Sequence, residues 1–273
     1  MIETAQATPD APMTRRHQLG LPLSTPFNWL SAGFADTFRY PLSSLAYGLV
    51  VVVISGLLVG GLLELGLDYI LFPALSGFMV MGPAIAVGLY EKSRRLENGE
   101  PVSLSAMVFV RAKSLGQILF VGVIMMLLLI LWLRAAVLLY ALFFGMLPFP
   151  GIHEIAITIL TTPRGWGLLS IGTLTGGLFA AFAFAISAYS IPMLLNERID
   201  AFTAMGTSIA FSWANRGVAI VWGAIILVLF LFSLATGFLG LIVIFPVIGH
   251  ATWHAYRTMT QGKRMYDVQA ETT

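Results

Sequence analysis

Residues 115–145 read LGQILFVGVIMMLLLILWLRAAVLLYALFFG, thirty-one residues with Arg134 as their single charge. At a helical rise of about 1.5 Å, about 20 apolar residues cross the hydrocarbon of a bilayer, so this stretch alone places the chain in a membrane, with length to spare for tilt. Hydrocarbon offers a backbone no water to hydrogen-bond with, and a helix satisfies its own N–H and C=O groups. Five more apolar stretches lie near 42–63, 69–90, 165–195, 217–235 and 236–256. The fold expected is therefore all-α, a polytopic bundle of six transmembrane helices. The gap at 236–238 is so short that Gly237 and Gly240 must help make a tight turn.

Composition agrees. The 273 residues are 58% hydrophobic and 10% charged, against about 25% charged in soluble domains. No Lys/Arg run of nucleic-acid type occurs, which excludes that partner and leaves the lipid bilayer. The absence of Cys excludes disulfides, thiolate metal sites and cysteine nucleophiles. The first twenty residues contain no apolar core of the secretory-signal type, and Glu3 and Asp10 argue against a mitochondrial presequence. Residues 1–23 read as a polar mobile tail, 24–258 as the transmembrane domain and 259–273 as a second polar tail.

Orientation follows from basic residues in the connections. Thirteen of the 15 Lys and Arg fall on one side of a six-span arrangement, leaving Arg134 and Arg164 opposite. Both termini are thus expected in the cytoplasm. The chain also repeats weakly as three hairpins, entered after Arg39, Arg111 and Arg216. In the first and third a proline stands eleven residues before an exit arginine, Pro83 to Arg94 and Pro246 to Arg257; in the middle one Pro192 is six before Arg198. Short amphipathic segments precede the first and third hairpins, carried by Leu30, Phe34 and Phe38 after Ser24 and by Phe202, Met205, Ile209 and Trp213 after Asp200. They are expected to lie in the interface, with Trp29 and Trp213 at headgroup level. Residues 150–162 form a third candidate on the opposite face.

The block Gly82-Pro83 through Gly88-Leu89-Tyr90, followed by Ser93-Arg94-Arg95-Leu96-Glu97-Asn98-Gly99-Glu100-Pro101-Val102-Ser103-Leu104, resembles a family of bacterial integral membrane proteins called domain of unknown function 2189. The resemblance runs from about Trp29 to Arg257 and implies a membrane-embedded helical fold without an established activity. Some members bear a label relating them to cytochrome c oxidase subunit I. That subunit holds two haems and copper with several intramembrane histidines, whereas this chain has His17, His153, His250 and His254.

Few residues carry chemistry. His250 and His254 share a helix face, a spacing that suits a metal, but a third ligand is missing, and they read as interfacial histidines beside Trp253 and Tyr256. No cofactor is expected. Arg134 either snorkels to the far interface or forms an intramembrane ion pair with Glu64 or Asp68. Gly56-x-x-x-Gly60 and Gly172-x-x-x-Gly176 permit close helix packing. The loop carrying Arg94, Arg95, Gly99 and Glu100 is either a solvated turn or a docking surface. Pro83, Pro192 and Pro246 would free carbonyls inside spans, as transporters do.

No hydrolase triad, phosphate loop, zinc-protease helix or dinucleotide fingerprint is present, so an enzyme is not expected. The leading expectation is a non-catalytic accessory or scaffold subunit of a larger membrane complex, such as a respiratory one. The alternative is a small-solute or lipid transporter. A scaffold predicts a filled bundle and a transporter a cavity with polar groups at mid-depth.

Overall fold

The computed structural model describes residues 20–145 and 149–271, with side chains up to Gln261. Every regular element among them is helical. Proline starts the first two: α1 (Thr25–Arg39) has Pro26 in its first turn, and Pro41 opens α2 (Pro41–Glu64) with only Tyr40 between the two helices. Proline suits that position because the N–H it lacks has no intrahelical partner there. Gly66, at φ +64°, turns the chain into a 3₁₀ turn at Asp68–Ile70 and α3 (Leu71–Ile85).

Pro83 sits inside α3, which stops two residues later and resumes as α4 (Val87–Asn98), ended by Gly99 in the left-handed region. Ser103 caps the short α5 (Leu104–Val108), accepting from the Ala106 N–H at 3.2 Å. Then follow α6 (Leu115–Phe144), α7 (Ile152–Thr161), α8 (Pro163–Ser187) and α9 (Ser190–Asn196). The chain closes with α10 (Ala201–Ala214), capped by Asp200, then α11 (Arg216–Ala235) and α12 (Leu241–Glu271).

Five helical stretches are long and apolar enough to cross a membrane: Pro41–Glu64, Asp68–Asn98, Leu115–Phe144, Pro163–Asn196 and Arg216–Ala235. The expected sixth, α12, falls short because His250, His254 and Arg257 follow its apolar start. Its polar half meets protein instead of lipid, with His250, Ala255 and Tyr256 fully buried. The other helices divide by what covers them: 11% of the apolar window of α2 is buried within the chain, against 61% for Pro163–Asn196. Leu42, Leu57 and Leu58 thus face outward, as lipid permits and water would not. Pro246, the counterpart of Pro83 in the hairpin pattern, lies inside α12 without interrupting it.

α12 is the hub. It runs along α1 and α2 and packs on α4, while touching α11, its neighbour in sequence, more lightly. Glycines make this possible at positions other than those expected. A Cβ on Gly33 would stand 2.5 Å from the Val247 carbonyl oxygen and 2.6 Å from the Ala251 nitrogen, and one on Gly48 would overlap the backbone of Ile242. Gly56, Gly60 and Gly172 face open space, and a Cβ on Gly176 would stand 2.8 Å from the Trp132 ring.

The amphipathic segments form as helices α1, α10 and α7. Trp213 is exposed, but Trp29 is not at the surface expected for a headgroup anchor. It is buried, edge-on to Trp222 at 5.9 Å, with its indole N–H donating to the Thr258 hydroxyl at 3.0 Å. The reason is α12, which covers the face of α1 that carries it. At the tight turn, Gly237 (φ +61°) and Phe238 (φ +70°) adopt the left-handed conformation, and the Gly240 N–H donates to the Thr236 hydroxyl at 2.9 Å.

Candidate functional site

Two features stand apart from ordinary packing. The first is a chain of polar side chains where α1, α2, α4 and α12 meet. Lys92 and Ser93 are neighbours on α4, His250 and His254 lie one turn apart on α12, Ser44 is in the first turn of α2, and Asp36 is near the end of α1. The Lys92 ammonium donates to the Ser44 hydroxyl at 2.7 Å and to the Tyr40 carbonyl at 2.9 Å. Ser44 Oγ lies 2.9 Å from His250 Nε2, and Ser93 Oγ lies 2.8 Å from His250 Nδ1. Ser93 in turn donates to Asp36 Oδ2 at 2.6 Å, which His254 Nε2 also meets at 2.9 Å.

Lys92, Ser44 and His250 are fully buried, whereas the side chains of Asp36 and His254 keep 15% and 32% of their exposure. The contacts assign the protons. Lys92 is a donor only, so the Ser44 oxygen accepts from it and its O–H points to Nε2. His250 therefore carries its hydrogen on Nδ1 and donates to Ser93, which donates to Asp36. A cation and an anion are joined through three neutral relays. Burial pushes the Asp36 carboxyl up, but hydrogen bonds from His254 and Ser93 outweigh it and leave the group below its ordinary range.

Around this chain, charges are consumed by structure. Glu91, fully buried, meets Arg94 at 2.6 Å and Arg95 at 2.7 Å. Arg94 also donates to the Leu195 and Arg111 carbonyls, and Arg95 to Pro101, with Glu100 at 3.8 Å. The loop expected as a docking surface thus spends both arginines on its own chain, with Gly99 as a helix cap. Glu97 holds Arg257 at 2.6 Å and accepts from the Trp253 indole at 3.1 Å, tying α4 to α12. The Tyr256 hydroxyl donates to Glu197 at 2.7 Å.

The second feature is a lateral cleft of about 1460 Å³. α11 packs on α1, α10 and α12 but leaves a gap toward α8, bridged from α3 by Phe78, which stacks on Phe230 at 5.6 Å. The walls are almost wholly apolar, with Tyr69 and Tyr140 toward one end and Trp213 and Arg216 toward the other. Arg216 makes no ion pair among the described residues. The indole N–H of Trp222, a buried residue of the cleft wall, has no hydrogen-bond partner among the described residues.

Arg134 is exposed on α6 and makes no ion pair with Glu64 or Asp68. Among the described residues no three His, Cys, Asp or Glu side chains gather closely enough to hold a metal ion; His250 reaches Asp36 through Ser93. The His250 and His254 spacing was the one legible signal of the polar chain. Its other members come from three different helices, and Lys92 reads in sequence as one more cytoplasmic cation.

The fold defines the class, a multi-pass α-helical integral membrane protein. Residues 71–196 match the model of the family described as "Predicted integral membrane protein (DUF2189)", the family that the block at 82–104 resembles. The match takes in α3 through α9, including Lys92 and Ser93. No curated protein and no solved structure matches the chain.

Proposed function

We propose that this membrane protein receives a lipid-type amphiphile in the cleft between α8 and α11, with its head toward Arg216 and its chains along the apolar walls. One observation carries the reading: a cleft of about 1460 Å³, larger than the roughly 300–1,000 Å³ that compact ligands occupy, with a free arginine at one end. Polar groups do not line it as a solute pathway would require, which favours a lipid over a small polar solute. The setting proposed is a bacterial inner membrane crossed six times by three hairpins, with α12 as the sixth crossing and both termini cytoplasmic.

The test is lipid analysis by mass spectrometry of full-length protein after extensive detergent washing. Wild type should retain phospholipid near one molecule per chain. Gly223→Phe should lose it, because Gly223 lines the cleft and a side chain there meets no atom within 4 Å at its root. A second reading, an accessory subunit of a membrane complex, is favoured by the bare outer face of α2, where Gly56 and Gly60 have nothing against them. Lipid-free protein that co-purifies with a stoichiometric membrane partner would select it. Alkaline phosphatase fused after Thr273 should be inactive; activity would overturn the proposed orientation.

A further inference from the structure

The buried chain of polar groups is not explained by the cleft, nor by stability. Replacing a buried charge pair by apolar groups is often neutral or stabilising, and ionisable residues within a membrane domain are rare and tied to function. Here a lysine with no exposed surface is connected to the outside by an unbroken file of hydroxyls and one imidazole. We infer that Lys92 is a proton-binding site loaded from one face of the protein through Ser44, His250, Ser93 and Asp36, with His254 at the mouth.

The geometry supports each transfer. Every link from the Lys92 ammonium to the Asp36 carboxylate is between 2.6 and 2.9 Å. In one concerted shift a proton leaves Lys92 Nζ for Ser44 Oγ as the Ser44 proton passes to His250 Nε2, the Nδ1 proton of His250 passes to Ser93 Oγ and the Ser93 proton passes to Asp36 Oδ2. Each N–H or O–H broken is matched by one formed, His250 is neutral before and after with its tautomer changed, and the net result is a neutral amine and a carboxylic acid. Asp36 and His254, both partly exposed, exchange the proton with water.

The inner end is closed. Beyond Ser44, the Lys92 ammonium meets the carbonyls of Tyr40 and Thr37, which accept hydrogen bonds but carry no proton onward. The site therefore loads and unloads from one side and is not a channel. Among the described residues, other titratable groups on the four helices point elsewhere. Glu91 is held by Arg94 and Arg95, Glu97 by Arg257, the Tyr47 hydroxyl donates to the Ile85 carbonyl, and Arg39 is exposed. Among the described residues, the charged and titratable groups acting on Lys92 are Asp36 and His250, with His254 behind Asp36.

The experiment uses full-length protein in lipid nanodiscs with ¹⁵N-lysine, where Lys92 must be told from Lys113 and Lys263 alone. Its readout is hydrogen–deuterium exchange of the Lys92 ammonium. Wild type should exchange despite complete burial. Ser93→Ala, which cuts the file, should slow exchange by about tenfold or more, the equivalent of one hydrogen bond of ordinary strength, and Ser93→Thr should restore it. Ser44→Ala should act like Ser93→Ala, so a folding failure in one leaves the other. Trp253→Phe, which loosens the α4–α12 junction outside the file, should not slow exchange. Equal rates in wild type and both alanine variants would mean that protons arrive by local opening, and would overturn the inference.

Discussion

His250 and Asp36 do not touch, yet they are coupled: the Ser93 hydroxyl lies between them, 2.8 Å from the imidazole Nδ1 and 2.6 Å from the carboxylate. The serine donates to the acid and accepts from the ring, so the charge of Asp36 sets the tautomer of a histidine it cannot reach. The same carboxylate oxygen meets His254 at 2.9 Å. Two histidines one turn apart are thus held in different roles, one buried and oriented, the other at the surface.

Asp36 should make stability depend on acid. Its folded-state pKa lies below the ordinary value of 3.8, so the stability it contributes is fully present above that value and is lost as pH falls through the lower folded-state pKa. Asp36→Asn should cost about 2 kcal/mol near neutral pH, as loss of hydrogen bonds to a charged group does. The gap in thermal midpoint between wild type and variant, measured in detergent, should close below pH 4. A gap independent of pH would contradict the assignment.

The glycines separate into two kinds. Gly48→Ala should destabilise strongly, by about 3 kcal/mol or more, because the new methyl overlaps the backbone of Ile242 and α12 must move as in an overpacked core. Gly56→Ala should be neutral or stabilising by up to about 1 kcal/mol, the helix-propensity gain. Thermal melting of both variants checks the pair, and equal costs would show that α2 and α12 do not pack as described.

Glu91 should be less dispensable than its neighbours in the loop. It is fully buried against Arg94 and Arg95, and removing one member of such a group leaves charge uncompensated, at about 3–5 kcal/mol. Glu91→Ala is expected to lose most folded protein on size-exclusion chromatography. Glu100→Ala, at an exposed side chain 3.8 Å from Arg95, should cost less than about 1 kcal/mol.

Arg134 should behave as an isolated snorkelling cation. In a cycle of Arg134→Gln, Glu64→Gln and the double variant, the effects on thermal midpoint should add, as they do for sites without a shared contact. A double variant more stable than the sum of the singles would restore the ion pair with Glu64.

The membrane class and most of the helix positions are legible in the order of residues alone. In hydrocarbon an apolar run such as 115–145 satisfies its backbone by forming a helix, and proline, glycine and capping residues at Pro41, Gly99, Ser103 and Asp200 mark boundaries locally. Apolar content alone counted 236–256 as a sixth span, because the apolar start of α12 masks the polar residues His250, His254 and Arg257 that follow it. That the polar half of α12 is covered by α1, α2 and α4 instead of by lipid follows from long-range packing. Burial of Trp29, the close approaches at Gly33 and Gly48, and the file from Lys92 to Asp36 all depend on which helices α12 meets. Residues such as Ser44 and His250, 206 positions apart, have no local signature because each satisfies the other's hydrogen-bonding need across a helix interface, and that complementarity exists only once the helices are in place.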